Sequence, residues 1–118
     1  MRRIILVEDD PGILDPMIII LRNSGYVVTT YLDGTLILNN DFSPPDLFII
    51  DKQLPGVDGL EICKYLKSRK ETSSIPVIMV SATPNIHILG KAAGADDTIE
   101  KPFQIQELRE IVAKHLTR

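Results

Sequence analysis

The polar and apolar positions of this 118-residue chain alternate between two patterns. Short apolar runs rich in β-branched residues are followed by stretches whose apolar residues recur at helical spacing. Ile4-Ile5-Leu6-Val7 is the first run, and it ends in Glu8, Asp9 and Asp10. Leu14, Met17, Ile18 and Leu21 then form a helical stripe that Asn23-Ser24-Gly25 closes. Pro16 lies within the stripe, where proline costs roughly 3 kcal/mol. Asp15 and Pro16 read instead as an N-cap and first position, so the spacing predicts a helix that starts late or is distorted in its first turn. Residues 26–31 are β formers, Asp33-Gly34 breaks the run, and residues 35–39 suit a short helix. Leu47-Phe48-Ile49-Ile50 runs straight into Asp51, the pattern of a strand buried on both faces. Lys52-Gln53-Leu54-Pro55-Gly56 makes a turn, and Asp58 caps a helix ending near Ser68 with inner stripe Gly59, Ile62, Cys63 and Leu66. Residues 75–81 form a fourth strand with Pro76 at its start, where proline is tolerated. Thr83-Pro84 reads as the cap of a poor, short helix interrupted by Gly90 and Gly94. Residues 97–100 give a weak fifth strand. After Lys101-Pro102-Phe103 comes a last helix with stripe Ile105, Leu108, Ile111, Val112 and Leu116.

Strand and helix therefore alternate five times. This predicts an α/β fold, a doubly wound parallel sheet with right-handed crossovers and helices on both faces; in a flavodoxin-like order, 2-1-3-4-5, the first and third strands are neighbours. In such sheets ligands bind beyond the carboxyl ends of the strands, at the point where strand order reverses. There the first strand delivers Glu8, Asp9 and Asp10, the third Asp51, the fourth Ser81 and the fifth Lys101. Two unit charges ~4 Å apart repel by about 4 kcal/mol at an effective dielectric near 20, so this cluster of acids calls for a cation. All-oxygen donors favour Mg²⁺. A carboxylate such as Asp51 can attack phosphorus to form an acyl phosphate. The cation and Lys101 would neutralise the transferring group, and Ser81 can donate to one of its oxygens. Neither His87 nor His115 is at a strand end, so no Ser-His-Asp relay is expected.

Composition adds bounds. Apolar residues make up 44% and charged residues 25%, ordinary values for one globular domain. A net charge of -3 suggests no nucleic-acid surface. The single cysteine, Cys63, suits a reducing compartment. The longest apolar run, residues 17–21, is too short to span a bilayer, and no signal-peptide core is seen, so no membrane association and a cytoplasmic location are expected. No glycine-rich phosphate loop follows the first strand, which argues against nucleotide binding. An aspartyl phosphatase would need its nucleophile on the first strand, two residues before a second acid, and a cap segment. Neither is found.

Four segments carry a family resemblance: Ile5-Leu6-Val7-Glu8-Asp9-Asp10; Asp51-Lys52-Gln53-Leu54-Pro55-Gly56-Val57-Asp58-Gly59; Pro76-Val77-Ile78-Met79-Val80-Ser81-Ala82; and Gly94-Ala95-Asp96-Asp97 through Lys101-Pro102-Phe103. Together, in this order, they resemble the receiver domain of two-component response regulators over essentially the whole chain, residues 1–118. The resemblance implies that Asp51 is the phosphoacceptor. It implies Mg²⁺ ligation by Asp9 and Asp51, by Glu8 through water and by the backbone carbonyl of Gln53, with Asp10 a helix-entry residue. Ser81 would be the switch hydroxyl and Lys101 the phosphate partner. The donor would be a phosphohistidine on a sensor histidine kinase or histidine phosphotransfer protein. The output would be a protein or fused effector domain reached through the fourth helix, fifth strand and fifth helix. Such a domain catalyses its own phosphorylation and dephosphorylation only, and is not a metabolic enzyme. Three departures stand out. Thr98 takes the place of the family's aromatic on strand five, the segment from Ser81 to Lys101 is short, and Pro16 falls in the first helix. They motivate one alternative, a pseudo-receiver interaction module without a working phosphoswitch.

Overall fold

A computed structural model describes residues 1–116, and these form five strands alternating with five helices. In order they are β1 (Arg3–Val7), α1 (Pro11–Asn23), β2 (Val27–Tyr31), α2 (Thr35–Leu38), β3 (Leu47–Asp51), α3 (Gly59–Ser68), β4 (Val77–Ser81), α4 (Ile86–Ala92), β5 (Asp97–Glu100) and α5 (Ile105–Leu116). The strands make one parallel sheet of order β2-β1-β3-β4-β5. The expected fold and strand order are both found.

Side chains alternate across the sheet and divide the core in two. Ile4, Leu6, Leu47, Ile49, Ile78 and Val80 pack with α1 and α5 through Leu14, Met17, Leu21, Leu108 and Val112. Ile5, Val7, Phe48, Ile50, Val77 and Met79 pack on the other face with Ile37, Ile62, Cys63, Leu66 and Ile86. This alternation aims the site. Glu8 continues the Ile4, Leu6 series and Asp51 the Leu47, Ile49 series, so both carboxylates leave the sheet on the α1/α5 side. Ser81 continues Val77 and Met79 and leaves on the other.

The inner stripe of α3 is buried as expected at Gly59, Ile62, Cys63 and Leu66, and Asp58 caps the helix by accepting from the Leu60 N–H at 2.8 Å. The first helix departs from expectation. It begins at Pro11, not after Asp15, because Asp10 caps it by accepting from the Gly12 N–H and Pro11 occupies a first-turn position. Pro16 is carried inside the helix on its exposed face. The carbonyl it deprives of a donor is that of Gly12, also exposed and in the first turn, where water can replace the bond. The Thr83-Pro84 cap is also corrected: α4 starts at Ile86 with no side-chain cap, and the Thr83 hydroxyl instead accepts from the Gln53 amide at 2.9 Å. Ile105 is not on the inner stripe of α5. It is 52% exposed at the helix start, while Leu108, Val112 and Leu116 are buried.

Candidate functional site

The strand ends bring Glu8, Asp9, Asp51 and Lys101 to one place. Glu8 and Asp51 are 2% and 4% exposed, so their charges are largely out of water. Lys101 Nζ reaches over the end of the sheet to Glu8 Oε1 at 3.0 Å and Asp51 Oδ1 at 2.9 Å. Its backbone N–H donates to the Ser81 carbonyl at 2.8 Å, which fixes the loop that carries it. The Lys101–Pro102 peptide bond is cis. Burial raises the Glu8 and Asp51 carboxyls above their ordinary range, the facing charges of Asp51 and Asp9 respectively add to it, and Lys101 opposes it. Burial pulls the Lys101 ammonium down, but its pairing with the Asp51 and Glu8 carboxylates outweighs this and holds it above its ordinary value.

Oxygen atoms of Glu8, Asp9 and Asp51 all lie within 4.8 Å of one another. Asp51 Oδ1 is buried and makes no well-directed hydrogen bond, the Lys101 contact being an ion pair by distance alone. Three hard oxygen donors, one of them lacking a directed partner, fit a small divalent cation. Asp10 stays out of the cluster. Its side chain caps α1, and its backbone N–H donates to Glu8 Oε2 at 3.2 Å, holding that carboxylate in place.

The loop after β3 is clamped beside the nucleophile candidate. Lys52 Nζ pairs with Asp58 at 2.8 Å, and the Gly59 N–H donates to the Lys52 carbonyl at 2.9 Å. A Cβ on Gly59 would stand 2.0 Å from the Asp51 carbonyl oxygen, so α3 can start this close to Asp51 only from a glycine.

Two expected site residues do not join the cluster. Ser81 is fully buried at the end of β4, but its hydroxyl is bonded to Gln53 Oε1 at 2.9 Å and not to Asp51. Thr98 lies two positions earlier along the sheet, paired with Met79 under α4. Its Oγ1 is 3.4 Å from His87 Nδ1, and its methyl group fills the space that a Cβ on Gly90 would take. Sequence reasoning missed the direct Glu8–Lys101 pair and the roles of the Gln53 side chain and Thr83. The matching alternation of Ile4-Leu6-Glu8 and Leu47-Ile49-Asp51 was a signal for the first. No periodic signal reports how two loops meet.

Residues 4–113 match the model of the response regulator receiver domain. The chain belongs to this family. The receiver domain is 37% identical over 111 residues to the sensory transduction protein RegX3 of Mycobacterium tuberculosis, a match covering 92% of this chain and 48% of that protein. It thus spans about half the length of the curated relatives it matches. A crystal structure of a putative response regulator from Chloroflexus aurantiacus superposes with a TM-score of 0.92 at 32% identity, over 99% of this chain and 98% of that one. The receiver domain of a sensor histidine kinase from Pseudomonas aeruginosa, with a magnesium ion coordinated in its active-site cleft, gives 0.88 at 27% identity over the same shares. Receiver domains are signalling domains, and this one has the fold and the acidic strand-end cluster of a phosphoacceptor domain. Among the described residues no helix is long and apolar enough to cross a membrane.

Proposed function

We propose that residues 1–118 form one receiver domain in which Asp51 accepts a phosphoryl group from a phosphohistidine of a sensor histidine kinase or histidine phosphotransfer protein. The observation that carries this reading is the buried Asp51 carboxylate, its Oδ1 without a directed hydrogen bond, at the centre of Glu8, Asp9 and Lys101. An Asp51 oxygen attacks phosphorus, the bond from phosphorus to the donor's imidazole nitrogen breaks, and the imidazole leaves with the bonding pair. The product is an acyl phosphate. Glu8, Asp9, Asp51 and the backbone carbonyl of Gln53 would hold Mg²⁺, which when bound offsets negative charge on the transferring group. Lys101 would offset the same charge, and its ion pair with Glu8 at 3.0 Å keeps its ammonium beside Asp51. Ser81 is the hydroxyl that would donate to a phosphoryl oxygen once its present bond is released. Water attack on the acyl phosphate resets the switch, so the domain acts only on itself.

The change is relayed to the face of α4, β5 and α5, and from there to an output protein or an effector domain fused to this one. The domain binds no nucleic acid itself and works in the cytoplasm. Intact mass after incubation with Mg²⁺ and a small acyl phosphate tests the proposal. The wild type gains one phosphoryl group and Asp51→Asn gains none. A wild type that gains no mass sinks it.

A further inference from the structure

Ser81 has a single hydroxyl hydrogen, and it is already in use. Oγ donates it to Gln53 Oε1 at 2.9 Å and accepts the Thr83 backbone N–H at 3.0 Å. The amide nitrogen of Gln53 donates in turn to Thr83 Oγ1 at 2.9 Å. One exposed side chain thus bridges the loop after β3 to the loop after β4, and closes a ring of three hydrogen bonds over a fully buried hydroxyl. The second loop leads directly into α4, since the Ile86 N–H donates to the Thr83 carbonyl at 3.1 Å.

We propose that the Gln53 side chain is a latch. It holds the Ser81 hydrogen in the resting protein and competes with a phosphoryl oxygen for it. The inference rests on the reading that Asp51 carries the phosphoryl group. Ser81 cannot donate to that group while it donates to Gln53, because a hydroxyl has one hydrogen to give. Release of Ser81 therefore also releases Gln53, loosens its hold on Thr83, and frees the turn from which α4 starts. This gives the chain a route from Asp51 to α4 that does not pass through an aromatic on β5, where Thr98 stands. The Gln53 side chain acts here as a positioning group: it touches the switch hydroxyl, whereas only the backbone carbonyl of this residue would face Mg²⁺.

Amide NMR shifts of residues 82–92 test the latch. Wild type is recorded free and with Mg²⁺ plus beryllofluoride, a stable stand-in for a phosphoryl group on an aspartate. The two spectra define a line for each amide. Free Gln53→Ala is expected to move along that line, its active-to-resting ratio raised roughly fivefold, the worth of one hydrogen bond. Thr83→Val keeps the size of Thr83 but removes the anchor for the Gln53 amide, and moves the same way by less. In a Ser81→Ala background, Gln53→Ala moves these amides by clearly less, because only the bond to Thr83 is left to lose. Equal movement with and without the Ser81 hydroxyl overturns the latch, since Gln53 would then act by packing. So does the absence of movement in Gln53→Ala when wild type responds to beryllofluoride. A wild type that responds to beryllofluoride but gains no mass from an acyl phosphate sinks phosphoryl acceptance, while the variants still decide the latch. One that responds to neither overturns both.

Discussion

Lys101 is the one cation that touches both buried carboxylates of the site among the described residues, and its side chain is only 14% exposed. A surface ion pair is worth about 0–1 kcal/mol, but breaking a buried one strands a charge and costs roughly 3–5 kcal/mol. Lys101→Met keeps the aliphatic stem and leaves Glu8 and Asp51 facing each other unpaired. Urea unfolding at neutral pH without divalent cation should show a loss of about 3–5 kcal/mol. Glu8→Gln combined with Lys101→Met should recover most of it, because one of the stranded charges is gone. A loss under about 0.5 kcal/mol would mean that the pair behaves as if solvated. Cys63 shows the opposite kind of residue: burial pushes its thiol up to about 11, and its Sγ points at the Ala93 carbonyl at 3.5 Å, so it packs as a small apolar group.

At the level of elements, α4 is the unusual part. It has seven residues, and Gly90 lets it sit directly on β5. A Cβ at Gly90 would meet the Thr98 methyl at 2.6 Å, with Ala95 and Met79 next at 3.6 Å. Overpacking of this kind costs typically 1–3 kcal/mol. Gly90→Ala should destabilise the domain by about 1–2 kcal/mol in spite of alanine's better helix propensity. Thr98→Ala removes the clashing methyl, so the double variant should be more stable than the two separate changes sum to, a coupling that a double-mutant cycle in urea measures. Additive changes would mean that α4 shifts freely to make room. This contact was hidden in the sequence, where Gly90 read only as a helix breaker and Thr98 only as a missing aromatic. Periodicity places residues within an element, but not the distance between two elements. Pro16 misled for a related reason. Its cost depends on which carbonyl loses its donor, and here that is the exposed one of Gly12 in the first turn, while Asp10 and Pro11 supply a complete helix start upstream.

Across the whole molecule, the sheet was legible because its strands are buried on both faces and interrupted by helical stripes, so that topology rules leave few arrangements. The convergence of Glu8, Asp9, Asp51 and Lys101 followed from that topology. The hydrogen bonding of Ser81 did not, because it depends on loop conformation. The same topology also sets how stability varies with pH. Glu8 and Asp51 are raised in the folded state, first by burial, so the fold binds their protons better than the unfolded chain does. Their contribution is fully present below the ordinary values of 4.5 and 3.8, and is lost as pH rises through the folded values. Asp97 has the opposite sign. Burial alone would raise it, but the bonds from His115 at 3.0 Å and Lys114 at 3.1 Å, with the Thr98 N–H, leave it lowered. Its contribution is present above 3.8 and is lost as pH falls through the folded value. The metal-free domain should therefore lose stability on both sides of a mildly acidic maximum. Calorimetric Tm values in chelator, from about pH 3.5 to 7.5, check this. Asp51→Asn should flatten the decline toward neutral pH and leave the acid side unchanged. Asp97→Asn should flatten the acid side alone. Mg²⁺ should raise the wild-type Tm increasingly toward neutral pH, where the carboxylates are ionised, and do so much less in Asp51→Asn. A wild-type Tm that climbs steadily to neutral pH in chelator would show that Lys101 fully compensates both carboxylates, and that the site does not store the repulsion a cation would relieve.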